Sequence, residues 1–499
     1  MSESESVWQE LLTTAQLGTE RRPPALPPVA GALGGALAQL DRADPQRLLL
    51  NAAALTAPYL RAGRVPLRLA LLAEPACAPD EQPRCSLVAG ARLAQMLGGE
   101  CQDFLPEWLG LAAAAGRRVP EELLPTLLSW AEKHSDQSAE RVLPVLGQRG
   151  RWLAKQVPWC EAIGAAVFVE AIADEAVQTT WQTGRKALRH RLLRRLRHSH
   201  PALALDLLKT TWEEESAEER VAFLKLLPTG LSLGDEPFLE GLLDERAASV
   251  RLEAADLLSS LAGSRLVQRQ LERAQRLLQW KAGGFLRKAQ IEVTLPDVCG
   301  SEMVRDGVRP KPVGKAQGEK AYWLQQILSV IPPATWSNQW VQNPSRLLEI
   351  AGEGEWKELL HESWISAALS HADADWAEAL LRLYPERGEL LLALAPQRRF
   401  DFLKKLLKTQ PDEGMKLLIS YRQPWGAELT RLALPHLQAT STTLRFDLVG
   451  LARFMEPSLA AMVAGELMGR AEPGSAWERS VAAILQILDF RQQMREELQ

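Results

Sequence analysis

Between Gly234 and Ser264 the apolar positions fall into two stripes of helical period. Pro237 opens a short helix carrying Phe238, Leu239, Leu242 and Leu243. After a polar connection, Val250, Ala254, Leu257, Leu258 and Leu261 follow the i, i+4, i+7, i+8, i+11 rule of one helix face. Such a helix-turn-helix unit has too little core to stand alone, so it implies neighbours stacked on both sides. A looser pair precedes it, Pro201 to Trp212 and Ser216 to Leu227, joined across Glu213 to Glu215. Its connection is longer, so the repeat has no fixed period.

The pattern predicts helices elsewhere too. Val7 to Ala15 is amphipathic and stops at Gly18, before the proline-stiffened Arg21 to Pro28. Ala- and Leu-rich candidates follow at 35–40, 45–59, 65–73, 86–98, 103–115 and 120–133, closed by Gly, Pro or polar clusters. A helix at 264–280 gives way to Ile291, Val293 and Leu295 alternating with Glu292 and Thr294, the period-two signature of a strand. Helices return at 321–330, 344–351, 355–370, 373–384, 396–408, 426–439, 444–454 and 476–494. The fold expected is all-α, a HEAT-like α-solenoid of helix pairs in two halves with a small β-containing insertion. The divisions are residues 1–180, repeats at 181–288, the insertion at 289–319, and a helical region at 320–499.

Composition changes this picture little. A chain of 499 residues with 46% hydrophobic and 24% charged residues is globular and must be an array or several domains. Five widely spaced cysteines without a C-x-x-C pair suit reduced thiols and a cytoplasmic setting. The acidic start MSESESVWQELL does not read as a signal peptide, and no apolar run reaches the length of a membrane span.

A net charge of −4 gives no global attraction to nucleic acid, so any attraction must be local. The local candidate is RKALRHRLLRRLRHSH, where Arg185, Lys186, Arg189, Arg191, Arg194, Arg195 and Arg197 surround a stripe of Leu188, Leu192 and Leu196. Guanidinium forks match phosphate and carboxylate oxygens, so this helix is a candidate ridge for an acidic partner, with nucleic acid as the alternative. The competing reading is that these groups face solvent or neutralise the acidic turn Glu213 to Glu219. Sixteen Trp against four Tyr, six of them between Trp323 and Trp376, are expected mainly in the core.

No catalytic motif emerges. Gly314-Lys315 lacks the Ser or Thr of a phosphate-binding loop, and His361-Glu362 lacks a second histidine at i+4. His190, His198 and His200 sit among arginines that repel cations. No metal, cofactor or catalytic residue is expected, and the chain reads as non-enzymatic.

Locally, LLDERAASVRLEAADLLSSL resembles a HEAT repeat, whose turn aspartate and second-helix arginine would fall on Asp244 and Arg251 as a ladder. Over the whole chain AQLGTERRP, DEPFLEGLLDERAASVR, MVRDGV and GEKAYWLQQILSVIPPATW resemble a bacterial family of unknown function. Genes of that family occur beside MoxR-type AAA+ ATPases, von Willebrand factor A domain proteins and SWIM zinc-finger proteins. The resemblance implies a scaffold or adaptor binding a protein partner, an AAA+ ATPase or a von Willebrand factor A protein, in a remodelling system. The alternative is a nucleic-acid-binding HEAT-like protein, with DNA glycosylase chemistry as one form of it.

Overall fold

The computed structural model describes residues 3–62, 77–134, 136–170, 172–284, 287–312, 318–437, 449–470, 472 and 474–499. These are mainly α-helical, with one two-stranded sheet. None of the described helices is long and apolar enough to cross a membrane. The helix expected at 65–73 and the Gly314-Lys315 pair lie outside the described residues.

The chain divides into two compact units, Met1–Ala76 and Cys77–Gln499. In the first, helices Glu3–Leu17, Gly31–Ala38 and Pro45–Ala62 bury Val7, Leu11, Leu33, Leu37 and Ala52. Arg22 folds back onto Glu10, its Nη2 reaching both carboxylate oxygens at 3.1 and 2.9 Å.

The second unit holds three hydrophobic cores in chain order. One gathers side chains from Cys85 to Val167, the next from Val169 to Leu266, the third from Ala274 to Leu488. The Gly234 to Ser264 unit folds as its periodicity requires. Helices Glu236–Leu242 and Ala248–Ser259 pack together and bury Leu239, Leu242, Val250, Ala254, Leu257 and Leu258. The earlier pair appears as Pro201–Thr211 and Ala217–Leu224, the latter capped by Ser216 Oγ accepting from the Glu219 N–H. Most tryptophans of the Trp323 to Trp376 stretch are core residues: Trp336, Trp364 and Trp376 are fully buried, and Trp364 packs on Trp376 with ring centroids 4.9 Å apart.

One expectation needs correction. The helix starting after Ser264 ends at Leu277, not Trp280, because Leu278–Lys281 is a strand. This strand (β1) pairs antiparallel with Gln290–Val293 (β2), in the register Leu278↔Val293 and Trp280↔Ile291. The hairpin therefore starts before residue 289, so a boundary there cuts between its strands. Trp280 accounts for the difference: its helical spacing from the apolar stripe hides that it stacks on Trp340 from a strand, with centroids 5.9 Å apart.

The last helix, Ala476–Leu498, packs inward against Leu87–Leu97 and Leu105–Ala114, the first described helices of its unit. Its Val481, Ile484 and Leu488 belong to the third core, while Met494 and Leu498 enter the first. Along 23 residues one helix thus serves both cores and closes the unit on itself.

Candidate functional site

The basic helix forms as Lys186–Ser199, with Arg185 in extended conformation at its N-cap. Leu192, Leu193 and Leu196 are buried between helices Glu161–Glu170, Val177–Thr183 and Pro201–Thr211. A 14-residue helix with neighbours on several sides cannot keep all of its lysine and arginine side chains, Lys186, Arg189, Arg191, Arg194, Arg195 and Arg197, in water. Two of them, Arg191 and Arg197, are buried, and their charge is met inside the fold.

Arg197 is wholly buried and forks onto Asp235, Nη1 to Oδ1 at 2.7 Å and Nη2 to Oδ2 at 3.1 Å. It also donates to the carbonyls of Leu227 at 3.0 Å, Thr229 at 2.9 Å and Pro201 at 3.2 Å. Arg189 pairs with Glu215 and donates to Thr211 Oγ1 at 2.9 Å, its guanidinium lying 4.5 Å from the Trp181 ring centroid. Lys186 and His190 both reach Glu219, at 3.0 and 2.7 Å. Burial pushes the Glu219 carboxyl up, but these two partners outweigh it and hold it below its ordinary value. Arg191 and Arg194 share Glu140, at 3.3 and 3.1 Å, and Arg195 donates to the Val169 carbonyl.

The structure thus places Arg189 and Lys186 against the acidic turn, through Glu215 and Glu219. Asp235 and Glu140 are partners that the sequence does not announce, since each comes from an element remote along the chain and no local spacing marks it. Arg185 differs from the rest: it is exposed and makes no ion pair among the described residues.

Two grooves flank the helix. One, of about 590 Å³, is lined by apolar Val157, Pro158, Ala165, Phe168 and Leu188 and by charged Lys155, Glu161 and Arg185. Phe168 is 44% exposed, and Trp159, adjoining the lining residues Pro158 and Cys160, is 50% exposed. Burial, with Glu132 adding, pushes the Cys160 thiol up to about 12, so it stays a neutral, weakly nucleophilic wall. The other groove, of about 640 Å³, sets Arg191, Arg194, Arg195, His198 and His200 opposite Glu140 and Glu170.

The proposed ladder positions behave separately. Arg251 donates to the carbonyls of Glu245 at 2.5 Å and Arg246 at 2.9 Å, closing the turn before its own helix. Asp244 receives Arg305 instead, Nε at 2.7 Å and Nη2 at 2.9 Å, and that bond holds its carboxyl below the ordinary value. Arg305 belongs to a larger knot. Asp306, buried, is gripped by Arg269 Nη2 and Arg273 Nη1, both at 2.6 Å, while Glu240 accepts from Arg269 at 2.9 Å and Arg305 at 3.1 Å. Three arginines against three carboxylates dock the Met303 to Val308 segment on helices Glu236–Leu242 and Arg265–Leu277.

His361 is nearly fully buried. Its Nε2–H donates to the Leu348 carbonyl at 3.0 Å, which leaves Nδ1 to accept the Tyr384 hydroxyl at 2.5 Å. Both nitrogens are thereby occupied in holding helices together. Among the described residues no three His, Cys, Asp or Glu side chains gather as a metal-binding set.

Fold and site together define a mainly α-helical protein whose basic helix is knitted into its neighbours. The chain belongs to the family of unknown function DUF5691, whose model matches residues 10–498. No curated protein and no solved structure matches the chain.

Proposed function

We propose that this protein is a non-enzymatic scaffold or adaptor built of HEAT-like helix pairs, which docks a protein partner in the cytoplasm. The observation that carries this reading is the groove lined by Phe168, Ala165 and Leu188 together with Lys155 and Arg185. Half-exposed aromatic side chains beside an apolar lining are what binding hot spots use. The unpaired Arg185 in that lining favours an acidic amphipathic helix or loop as the occupant. The partner proposed, on the family resemblance, is a MoxR-type AAA+ ATPase or a von Willebrand factor A protein encoded nearby.

Co-purification of the cognate ATPase or von Willebrand factor A protein with the tagged full-length chain tests this. Phe168→Asp combined with Arg185→Glu is expected to abolish the complex without unfolding the chain. Absence of any complex at low salt would remove the proposal. A second reading, nucleic-acid binding, is supported by the groove holding Arg191, Arg194 and Arg195. It requires a phosphate to displace Glu140, and it predicts retention on DNA or RNA that falls steeply with salt and weakens in Arg194→Glu.

A further inference from the structure

Three stretches singled out in the sequence for separate reasons meet at one place. Helix Ala248–Ser259 of the repeat, the Met303 to Val308 segment and helix Glu319–Ser329 together enclose a groove of about 330 Å³. Its walls are fixed. Asp306 is held by Arg269 and Arg273, and Gly307 turns at φ +87° hard against Ala255. The main chain of Arg309 is clamped at both ends by Gln326, its N–H donating to Oε1 at 2.8 Å and its carbonyl accepting from Nε2 at 3.2 Å. The hydroxyls of Ser259 and Ser329 are turned onto carbonyls of their own helices, those of Ala255 and Gln325, at 2.7 Å each.

Four polar side chains lining this groove are left without a hydrogen bond or ion pair among the described residues: Asp256, Arg309, Tyr322 and Gln325. The protein around Asp256 pushes its carboxyl up from the ordinary value, and Arg309 pulls it back, so the two charges sense each other without pairing. Elsewhere in this region carboxylates and guanidiniums close onto one another, as Asp306 does with Arg269 and Arg273. An opposite pair left open across a polar groove offers a partner at each end to an occupant carrying both charges.

We infer that this groove binds a small zwitterion of the α-amino-acid class, its ammonium on Asp256 and its carboxylate on Arg309. Tyr322 and Gln325 are the hydrogen-bonding groups for the polar part of its side chain. A simple cation would leave Arg309 unpaired and be repelled by it, and a simple anion would meet Asp256 in the same way. The volume lies at the small end of the range for ligand sites, which suits a single amino acid. The inference stands independently of the docking groove beside the basic helix.

The test is thermal unfolding and calorimetric titration of the full-length protein with each free proteinogenic α-amino acid at millimolar concentration. Each amino acid that binds is compared with the amine lacking its carboxylate and the acid lacking its ammonium. At least one amino acid is expected to bind and raise the unfolding temperature, while both single-charge analogues bind roughly tenfold to a hundredfold more weakly. Asp256→Asn and Arg309→Gln, at solvent-accessible positions, are expected to cause similar losses with unchanged circular dichroism. Failure of every amino acid to bind overturns the proposal, as does equal binding of the single-charge analogues. The analogue comparison uses the unaltered protein, so its outcome does not depend on how the variants fold.

Discussion

Arg491 and Glu107, separated by 384 residues in sequence, form a two-pronged ion pair, Nε to Oε2 at 2.8 Å and Nη2 to Oε1 at 3.0 Å. The same guanidinium donates to the carbonyls of Ala452 at 2.9 Å and Met455 at 2.6 Å. Arg92 with Glu497, at 2.5 Å, and Arg453 with Asp103, at 3.2 Å, bind further points of the same junction. The closure of the unit Cys77–Gln499 thus rests on a charged, geometrically specific joint as well as on Met494 and Leu498.

Removing the central member of that joint leaves the Ala452 and Met455 carbonyls without this donor, and Glu107 with the longer contact from Arg495 Nη2 at 3.5 Å. Arg491→Ala is therefore expected to lower stability by roughly 3 to 5 kcal/mol, the range for breaking a buried pair from one side. Glu107→Gln keeps a polar partner and is expected to cost less, about 1 to 2 kcal/mol. Urea unfolding of the full-length variants measures both, and a loss below about 1 kcal/mol for Arg491→Ala would mean that apolar packing alone holds the closure.

The wholly buried Arg197 sets a parallel case inside the basic helix. Its five hydrogen bonds use the planar fork, which an ammonium cannot reproduce. Arg197→Lys is expected to destabilise by roughly 2 kcal/mol or more and Asp235→Ala by about 3 kcal/mol, with a double-mutant cycle showing strong coupling. Exposed Arg185, in contrast, is expected to change stability by under about 0.5 kcal/mol when replaced by Ala. Comparable losses at Arg185 and Arg197 would show that the helix does not discriminate buried from surface cations.

Legibility follows from how local each signal is. The Gly234 to Ser264 unit is readable because two amphipathic stripes and a Pro at the first helical turn are properties of adjacent residues. The strand at Gln290–Val293 is readable for the same reason, but its mate Leu278–Lys281 is not. Only the pairing turns that stretch from helix to strand. The basic helix is visible as a charge run, while the carboxylates that neutralise it, Glu140 and Asp235, come from distant elements. The return of Ala476–Leu498 onto Leu87–Leu97 is likewise a long-range event that helix periodicity cannot encode. The Asp256 groove carries no motif at all, being assembled from three separate stretches.

Gly307 is where the Met303 to Val308 segment turns back. Its φ of +87° is a conformation that side chains disfavour, and a Cβ there would stand 2.7 Å from the Cβ of Ala255. Gly307→Ala is expected to cost roughly 2 to 3 kcal/mol, from backbone strain and steric overlap together. Because the same turn presents Arg309, amino-acid affinity should fall as well. Calorimetry and titration on one preparation test both, and unchanged stability would contradict the tight approach to Ala255.

One buried and one half-buried histidine, His361 and His371, make stability depend on pH. His361 is desolvated, and nearby Lys357 also opposes its charge, against the Leu348 carbonyl bond and Glu358 and Glu362. His371 is desolvated too, against its bond to the Val330 carbonyl at 2.9 Å and the charge of Asp373. Each has a folded pKa below its unfolded value, so the unfolded chain binds the proton more tightly. The stabilisation is complete above the ordinary histidine value of about 6.5 and is lost as pH falls from there through the folded pKa. Unfolding free energy is expected to drop as pH falls below about 7, and the slope should flatten in a His361→Gln, His371→Gln double variant. An identical slope in that variant would assign the acid sensitivity to other groups.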